Sequence, residues 1–187
     1  IKENLYNSFS KNIISVGRYT KVKGFDRLIK IWTLLQKNYN CSEWTLNIIG
    51  YGEEKENLET IISDLGASNI ILLSTDDVSE NYKNASFFCM SSYFEGLPMV
   101  LIEAQSFGLP AISFDIFTGP SEILINGSGI IVNDNELVAY VDAIYKLISD
   151  KQLREQMSNQ AFEESKKFSE NSIVSKWAYE LEEIIKY

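Results

Sequence analysis

Two cations and two carboxylates are the groups in this chain best placed to do chemistry. Arg18 and Lys23 stand in a short loop, Gly17-Arg18-Tyr19-Thr20-Lys21-Val22-Lys23-Gly24, between an apolar run and an amphipathic one. Two cations at the start of a helix oppose its dipole, which is already positive there. They become favourable when an anion such as a diphosphate lies between them. Gly17 allows the backbone to approach such a ligand closely. Solvated charge at a turn explains either cation alone; the pair favours the anion.

The carboxylates Glu95 and Glu103 lie in Ser92-Tyr93-Phe94-Glu95-Gly96-Leu97-Pro98-Met99-Val100-Leu101-Ile102-Glu103-Ala104. Pro98 suits the first helical position, where its missing N–H costs nothing. The helix that follows is almost wholly apolar, which predicts burial, and Glu103 then stands inside it about one and a half turns from the start. A buried carboxylate needs a partner, and the helix holds no cation. Ribose hydroxyls would serve, as they do for the acidic residue of dinucleotide sites. Glu95 precedes the helix, and the free amides of Gly96, Leu97 and Met99 point towards the same pocket. The alternative stands equally open: Glu95 caps the helix, and Glu103 pairs with a distant Lys or Arg.

Composition removes several classes of function. The 187 residues contain no histidine, so no Ser-His-Asp or Cys-His pair and no histidine metal site can form. The net charge of −9 argues against nucleic acid as a partner and against attraction to anionic lipid. No apolar run approaches the length of a membrane span, and the polar start, IKENLYNSFSKN, is no signal peptide. Cys41 and Cys89 are too few for a disulfide framework, and Cys89 sits in an apolar run that reads as core. Three Asn-x-Ser sequons, at Asn40, Asn84 and Asn126, read as chance.

The elements that must position these groups alternate. Apolar runs at 12–17, 44–49, 69–73, 86–90, 110–114 and 129–132 read as strands. Helical patterns fill 25–36, 53–65, 79–84 and 98–107, and three more helices follow at 135–149, 151–167 and 170–187. The strands are unbroken apolar runs, as in a parallel sheet covered on both faces. The fold class is therefore α/β, a Rossmann-like doubly wound parallel sheet of about six strands with a helical C-terminal tail. In such folds ligands bind beyond the carboxyl ends of the strands. Gly50-Tyr51-Gly52 begins a G-x-G pattern without its third glycine and reads as a tight strand-to-helix turn. Asp115 to Glu122 reads as a further turn around Gly119-Pro120.

The two glutamates, with seven residues between them, resemble the E-x7-E signature of retaining glycosyltransferases with the two-domain GT-B fold. The nearest resemblance is to glycosyltransferase family 4, the group 1 type. Ser92-x-x-Glu95-Gly96 through Glu103-Ala104, followed by Gly108-Leu109-Pro110, is similar to its nucleotide-sugar pocket, and Gly17-Arg18 with Lys23-Gly24 to its phosphate loop. The resemblance implies roles: Arg18 and Lys23 on the donor diphosphate, Glu95 on the donor sugar, Glu103 on the ribose. It places the amides of Leu97 and Met99 on the distal phosphate and the uracil near Leu73. It implies a UDP-linked donor as substrate, no metal or other cofactor, and transfer of a hexose with retention. A sugar or lipid-linked glycan would be the acceptor in surface glycan or polysaccharide synthesis.

The same resemblance makes residues 1–187 a single donor-binding domain, one half of a GT-B fold, whose partner is a missing N-terminal acceptor domain. The helix at 170–187, with Ile173, Trp177, Leu181 and Ile184 on one face, would pack towards that half. The fragment alone would then transfer sugar poorly or not at all. The location implied is cytoplasmic, with any contact to the inner membrane face made through the missing half. Ser74, Ser91, Pro98 and Tyr51 depart from the family's usual residues, which leaves base and sugar open. Two other readings remain: a sugar-nucleotide epimerase of the same fold, which would want further acid–base residues, and a non-catalytic α/β binding module, which would want acidic residues after the first strand.

Overall fold

The computed structural model describes residues 6–185. Six strands form one sheet in the order β3-β2-β1-β4-β5-β6, all parallel: β1 (Asn12–Val16), β2 (Thr45–Ile49), β3 (Ile70–Leu73), β4 (Phe87–Met90), β5 (Ala111–Asp115) and β6 (Gly129–Asn133). The central strands are the apolar ones because they are covered on both sides. All four residues of β4, Phe87-Phe88-Cys89-Met90, are buried, as are Ile13 and Ile14 of β1. The outer strand β3 has no fully buried residue. Both cysteines, Cys41 and Cys89, are buried free thiols.

The helices are α1 (Phe25–Asn38), α2 (Lys55–Leu65), α3 (Ser79–Lys83), α4 (Met99–Ser106), α5 (Pro120–Ile123), α6 (Leu137–Ser149), α7 (Lys151–Ser165) and α8 (Glu170–Ile185). Right-handed crossovers put α1 and α4 on opposite faces, because β1→β2 and β4→β5 run outwards in opposite directions from the middle of the sheet. α1 packs between α2 and α6 on one face, and α4 packs on α7 on the other. The stripe on α1 is as its periodicity predicts: Phe25, Leu28, Ile29, Trp32 and Leu35 are all buried. On α6, the Tyr140 hydroxyl lies 3.1 Å from the Met90 carbonyl oxygen and 2.9 Å from that of Ile112, which anchors the helix over the ends of β4 and β5.

α4 corrects one expectation. Its apolar composition predicts a helix buried all round, yet only Leu101, Ile102, Ala104 and Gln105 are buried, and Glu103 is exposed. Met99 and Glu103 are four residues apart and therefore share the helix's open face. α8, the longest helix among the described residues, differs from the other α-helices in burying no side chain. Its apolar residues Trp177, Leu181 and Ile184 are 66%, 52% and 68% exposed, and its main packing partner is the 3-10 turn Lys166–Phe168.

The structure predicts that α8 adds little to the stability of the rest. Deleting residues 170–187 should lower the thermal midpoint by less than about 4 °C, equivalent to roughly 1 kcal/mol for a domain of this size. Circular dichroism melting checks this, and a loss of cooperative unfolding would contradict it.

Candidate functional site

β1 and β4 are neighbours whose following chains leave in opposite directions, so a crevice opens where they part. The loop after β1 closes it from one side. Residues Lys21–Lys23 make a single 3-10 turn, and Gly24 then starts α1 with φ 62°. A Cβ at Gly24 would lie 2.0 Å from the Ser91 carbonyl oxygen, so no larger residue lets the two loops meet. Two more bonds join them: the Tyr93 amide donates to the Val22 carbonyl at 2.8 Å, and Ser91 Oγ donates to the Lys23 carbonyl at 3.1 Å.

This contact brings two predicted site residues together. Lys23 Nζ lies 2.7 Å from Glu95 Oε1, with both side chains mostly withdrawn from solvent. Ser92 Oγ donates to the same oxygen at 2.7 Å. Thr118 Oγ1, from the loop after β5, donates to the Glu95 main-chain carbonyl. Glu95 is thus held at its backbone and at one carboxylate oxygen.

Arg27, on the first turn of α1, is the residue beneath this arrangement. It is 2% exposed. Its Nε donates to the Ser91 carbonyl at 2.5 Å, and its Nη2 donates to the Ser92 carbonyl. Its Nη1 meets Asp134 Oδ1 at 2.7 Å, which ties in the loop after β6. The guanidinium is sandwiched between the rings of Tyr93 and Phe114, at 4.1 Å and 4.0 Å from their centroids. Planar stacking and a forked donor pattern are what Arg supplies and Lys does not. The sequence offered no sign of this: Arg27 falls off the apolar stripe of α1, and its acceptors, two main-chain oxygens and the Asp134 carboxylate, lie on loops more than sixty residues away. Thr118 and Asp134 were missed because their partners likewise lie elsewhere in the chain.

The remaining predicted residues are placed as follows. The Arg18 guanidinium is exposed and has no ion pair or hydrogen bond among the described residues. Gly17 donates its amide to Ile49 at 3.0 Å, continuing the β1–β2 ladder. The amides of Gly96 and Leu97 donate to no acceptor among the described residues, whereas that of Met99 is taken by the Leu97 carbonyl at 2.9 Å. This corrects the expectation that the Met99 amide is free. Pro98 is the N-cap of α4, one position before the expected one, and is buried against Gly119, where a Cβ would lie 2.4 Å from the Pro98 ring. The turn at Gly119 (φ 97°) is therefore part of the wall of the site.

Glu103 is held by one bond, from the Tyr82 hydroxyl at 3.1 Å. Burial, with the Glu103 charge beside it, raises the pKa of Tyr82 well above that of an ordinary tyrosine, so Tyr82 is the donor. Leu73 ends β3 and lines a cleft of about 260 Å³ with Tyr19, Gly50, Tyr51 and Ser74. The floor of that cleft is Tyr19, whose hydroxyl lies 2.8 Å from the Leu73 carbonyl oxygen and whose pKa is pushed up to about 12 by burial. Its amide donates to the Tyr51 carbonyl at 2.7 Å and its carbonyl accepts from the Glu54 amide at 3.0 Å, so Gly50-Tyr51-Gly52 runs pinned along the loop after β1, and the turn into α2 comes only at Glu53 and Glu54, a correction to the tight turn expected at Gly50-Tyr51-Gly52.

Comparison with known proteins bears on what such a crevice does. The family model described as "Glycosyl transferases group 1" matches residues 1–164. An uncharacterized glycosyltransferase of Haemophilus influenzae is 35% identical over 94% of this chain and 50% of its own length. The amylovoran biosynthesis glycosyltransferase AmsD of Erwinia amylovora is 37% identical over 94% of this chain and 51% of its own. Among solved structures, the pneumococcal O-GlcNAc transferase GtfA, in complex with UDP and GlcNAc, superposes with a TM-score of 0.82 at 26% identity, covering 98% of this chain and 38% of that one. The chain thus spans about half the length of these two curated relatives.

The Arg27 contacts make a ranked prediction for stability. Removing the fork in Arg27→Met leaves two buried carbonyls without donors and should cost about 3 kcal/mol. Arg27→Lys should recover less than half of that, since one ammonium cannot serve both oxygens in the plane of two rings. Asp134→Asn, which changes the partner that is 38% exposed, should cost less than about 1 kcal/mol. Urea unfolding of the three variants gives the order, and a neutral Arg27→Lys would show that the fork is not what holds the loops.

Proposed function

Because the chain belongs to the glycosyl transferases group 1 family, we propose that it is the nucleotide-sugar-binding domain of a retaining glycosyltransferase. The observation that carries this reading is the Lys23–Glu95 pair beside the unengaged amides of Gly96 and Leu97, at the crevice where β1 and β4 part. An anion-binding edge and a hydroxyl-binding carboxylate lie side by side there. That is the demand made by a sugar joined to a diphosphate.

In this reading the donor diphosphate lies against Arg18, Lys23 and the Gly96 and Leu97 amides. As the bond from the sugar's anomeric carbon to the phosphate oxygen breaks, negative charge grows on the leaving diphosphate. Fixed cations and amides stabilise it without reorganising. Charge neutralisation is assigned to these side chains, not to a metal ion. Glu95 faces the sugar hydroxyls. Glu103, exposed at the end of its bond from Tyr82, is open to the ribose, and the base enters the cleft at Leu73. The acceptor hydroxyl attacks the anomeric carbon from the face the diphosphate leaves, and its proton passes to the departing phosphate oxygen. Retention is carried over with the family's E-x7-E signature. The usual two-carboxylate logic of glycoside hydrolysis does not apply.

UDP as the nucleotide is supported by the pneumococcal structure, which holds UDP and GlcNAc. The Erwinia relative, named for amylovoran biosynthesis, supports a glycan or polysaccharide product; the hexose donor and the sugar or lipid-linked acceptor are carried over with the family resemblance. The acceptor site is assigned to the part of the protein that lies outside this chain, with the bare apolar face of α8 packing on it. On its own the domain would bind donor and transfer little. No helix among the described residues is long and apolar enough to cross a membrane. The reading places the enzyme in the cytoplasm, any contact with the membrane coming from the other half.

Calorimetric titration with UDP, UDP-glucose, UDP-galactose, UDP-N-acetylglucosamine and GDP-mannose, without added metal, tests this directly. One of these nucleotides should bind saturably, with affinity reduced about tenfold or more in Lys23→Ala, a loss of one charge-assisted contact. Glu103→Ala should weaken the same ligand. Absence of any binding would count against the reading once the same titration on the full-length protein agreed.

A further inference from the structure

We infer that Glu95 is a specificity-determining residue that sets the preference for an intact nucleotide sugar over the nucleoside diphosphate left after transfer, by competing with the diphosphate for Lys23. The inference rests on the donor-site reading above, and goes beyond it in assigning Glu95 an unfavourable interaction as well as a favourable one.

Two features of the carboxylate carry the argument. Its Oε1 is fully occupied, by Lys23 Nζ and Ser92 Oγ at 2.7 Å each. Its Oε2 accepts no hydrogen bond among the described residues. The side chains of Lys23 and Glu95 are only 23% and 12% exposed, so their attraction is less screened than on an open surface. Glu95 cannot retreat easily, because Ser92 holds its carboxylate and Thr118 its main-chain carbonyl. The long Lys23 side chain is the partner that can move.

A bare nucleoside diphosphate must therefore either draw Lys23 away or settle beside a carboxylate. The first leaves a mostly buried carboxylate without its cation, and the second sets like charges together; both oppose binding. A nucleotide sugar meets the same opposition but brings hydroxyl donors, which the open Oε2 can accept. The penalty is offset for the substrate and stands for the diphosphate. Once the sugar has gone, Glu95 takes Lys23 back and favours release.

The test is titration of the 187-residue chain, as wild type and as Glu95→Gln, Ser92→Ala and Lys23→Ala, with UDP, GDP, UDP-glucose and GDP-mannose. Unfolding curves establish that each variant is folded. Glu95→Gln should bind the free diphosphate about tenfold more tightly than wild type, the scale of a lost charge-assisted contact, while its affinity for the nucleotide sugar stays level or falls. The ratio of the two affinities then collapses. Ser92→Ala, which only loosens the carboxylate, should shift the ratio the same way by a smaller factor, and Lys23→Ala should weaken both ligands. If wild type binds a diphosphate and Glu95→Gln binds it no better, the inference is wrong while the donor-site reading stands. If wild type binds no nucleotide at all, in the 187-residue chain and again in the full-length protein, the donor-site reading fails and the inference falls with it.

Discussion

A guanidinium withdrawn from water has to find acceptors for its donors, and Arg27 finds them in two consecutive main-chain carbonyls, Ser91 and Ser92. In a strand, successive carbonyls point in opposite directions. One guanidinium can bind both only if the chain abandons strand geometry directly after β4, which ends at Met90. That departure turns the segment 91–95 over the start of α1 and brings Glu95 back to Lys23. The close approach at Gly24 and the bonds from Tyr93 and Ser91 follow from the same turn. The Lys23–Glu95 pair is thus a consequence of how a buried cation one turn into α1 is satisfied.

The strand order supplies the space in which this matters. With β1 and β4 side by side and their helices on opposite faces, the chain parts here, and the two loops that follow these strands meet across the parting. At its edge stand Lys23, in its ion pair with Glu95, and the unengaged amides of Gly96 and Leu97.

The surface divides in a similar way. α6 packs on the sheet and α7 on α4 with buried apolar side chains, while α8 carries Trp177, Leu181 and Ile184 into solvent. An apolar face of this extent is unusual on a surface left in water.

Periodicity determined the fold in advance. Unbroken apolar runs alternating with amphipathic stretches have few solutions other than a doubly wound parallel sheet, and each of the six strands lies within a residue or two of where its run predicts. The motif residues Lys23 and Glu95 were legible because their chemistry is local: cations before a helix, and a carboxylate before a proline-started one. Glu103 shows where that logic stops. Its neighbours are apolar, but which face of an eight-residue helix is covered depends on α7 and the sheet, and composition alone carries no such information. The Met99 amide was lost to a turn closed by Leu97, a matter of a single backbone angle. Arg27, Thr118 and Asp134 could not be found at all, since their partners come from other loops and are mostly main-chain oxygens, identical in every residue type. The sequence by itself determined the sheet and its main helices and singled out Lys23 and Glu95 one by one; tertiary structure decided that the two meet and what holds them, because hydrogen bonds to the backbone leave no signature in side-chain pattern.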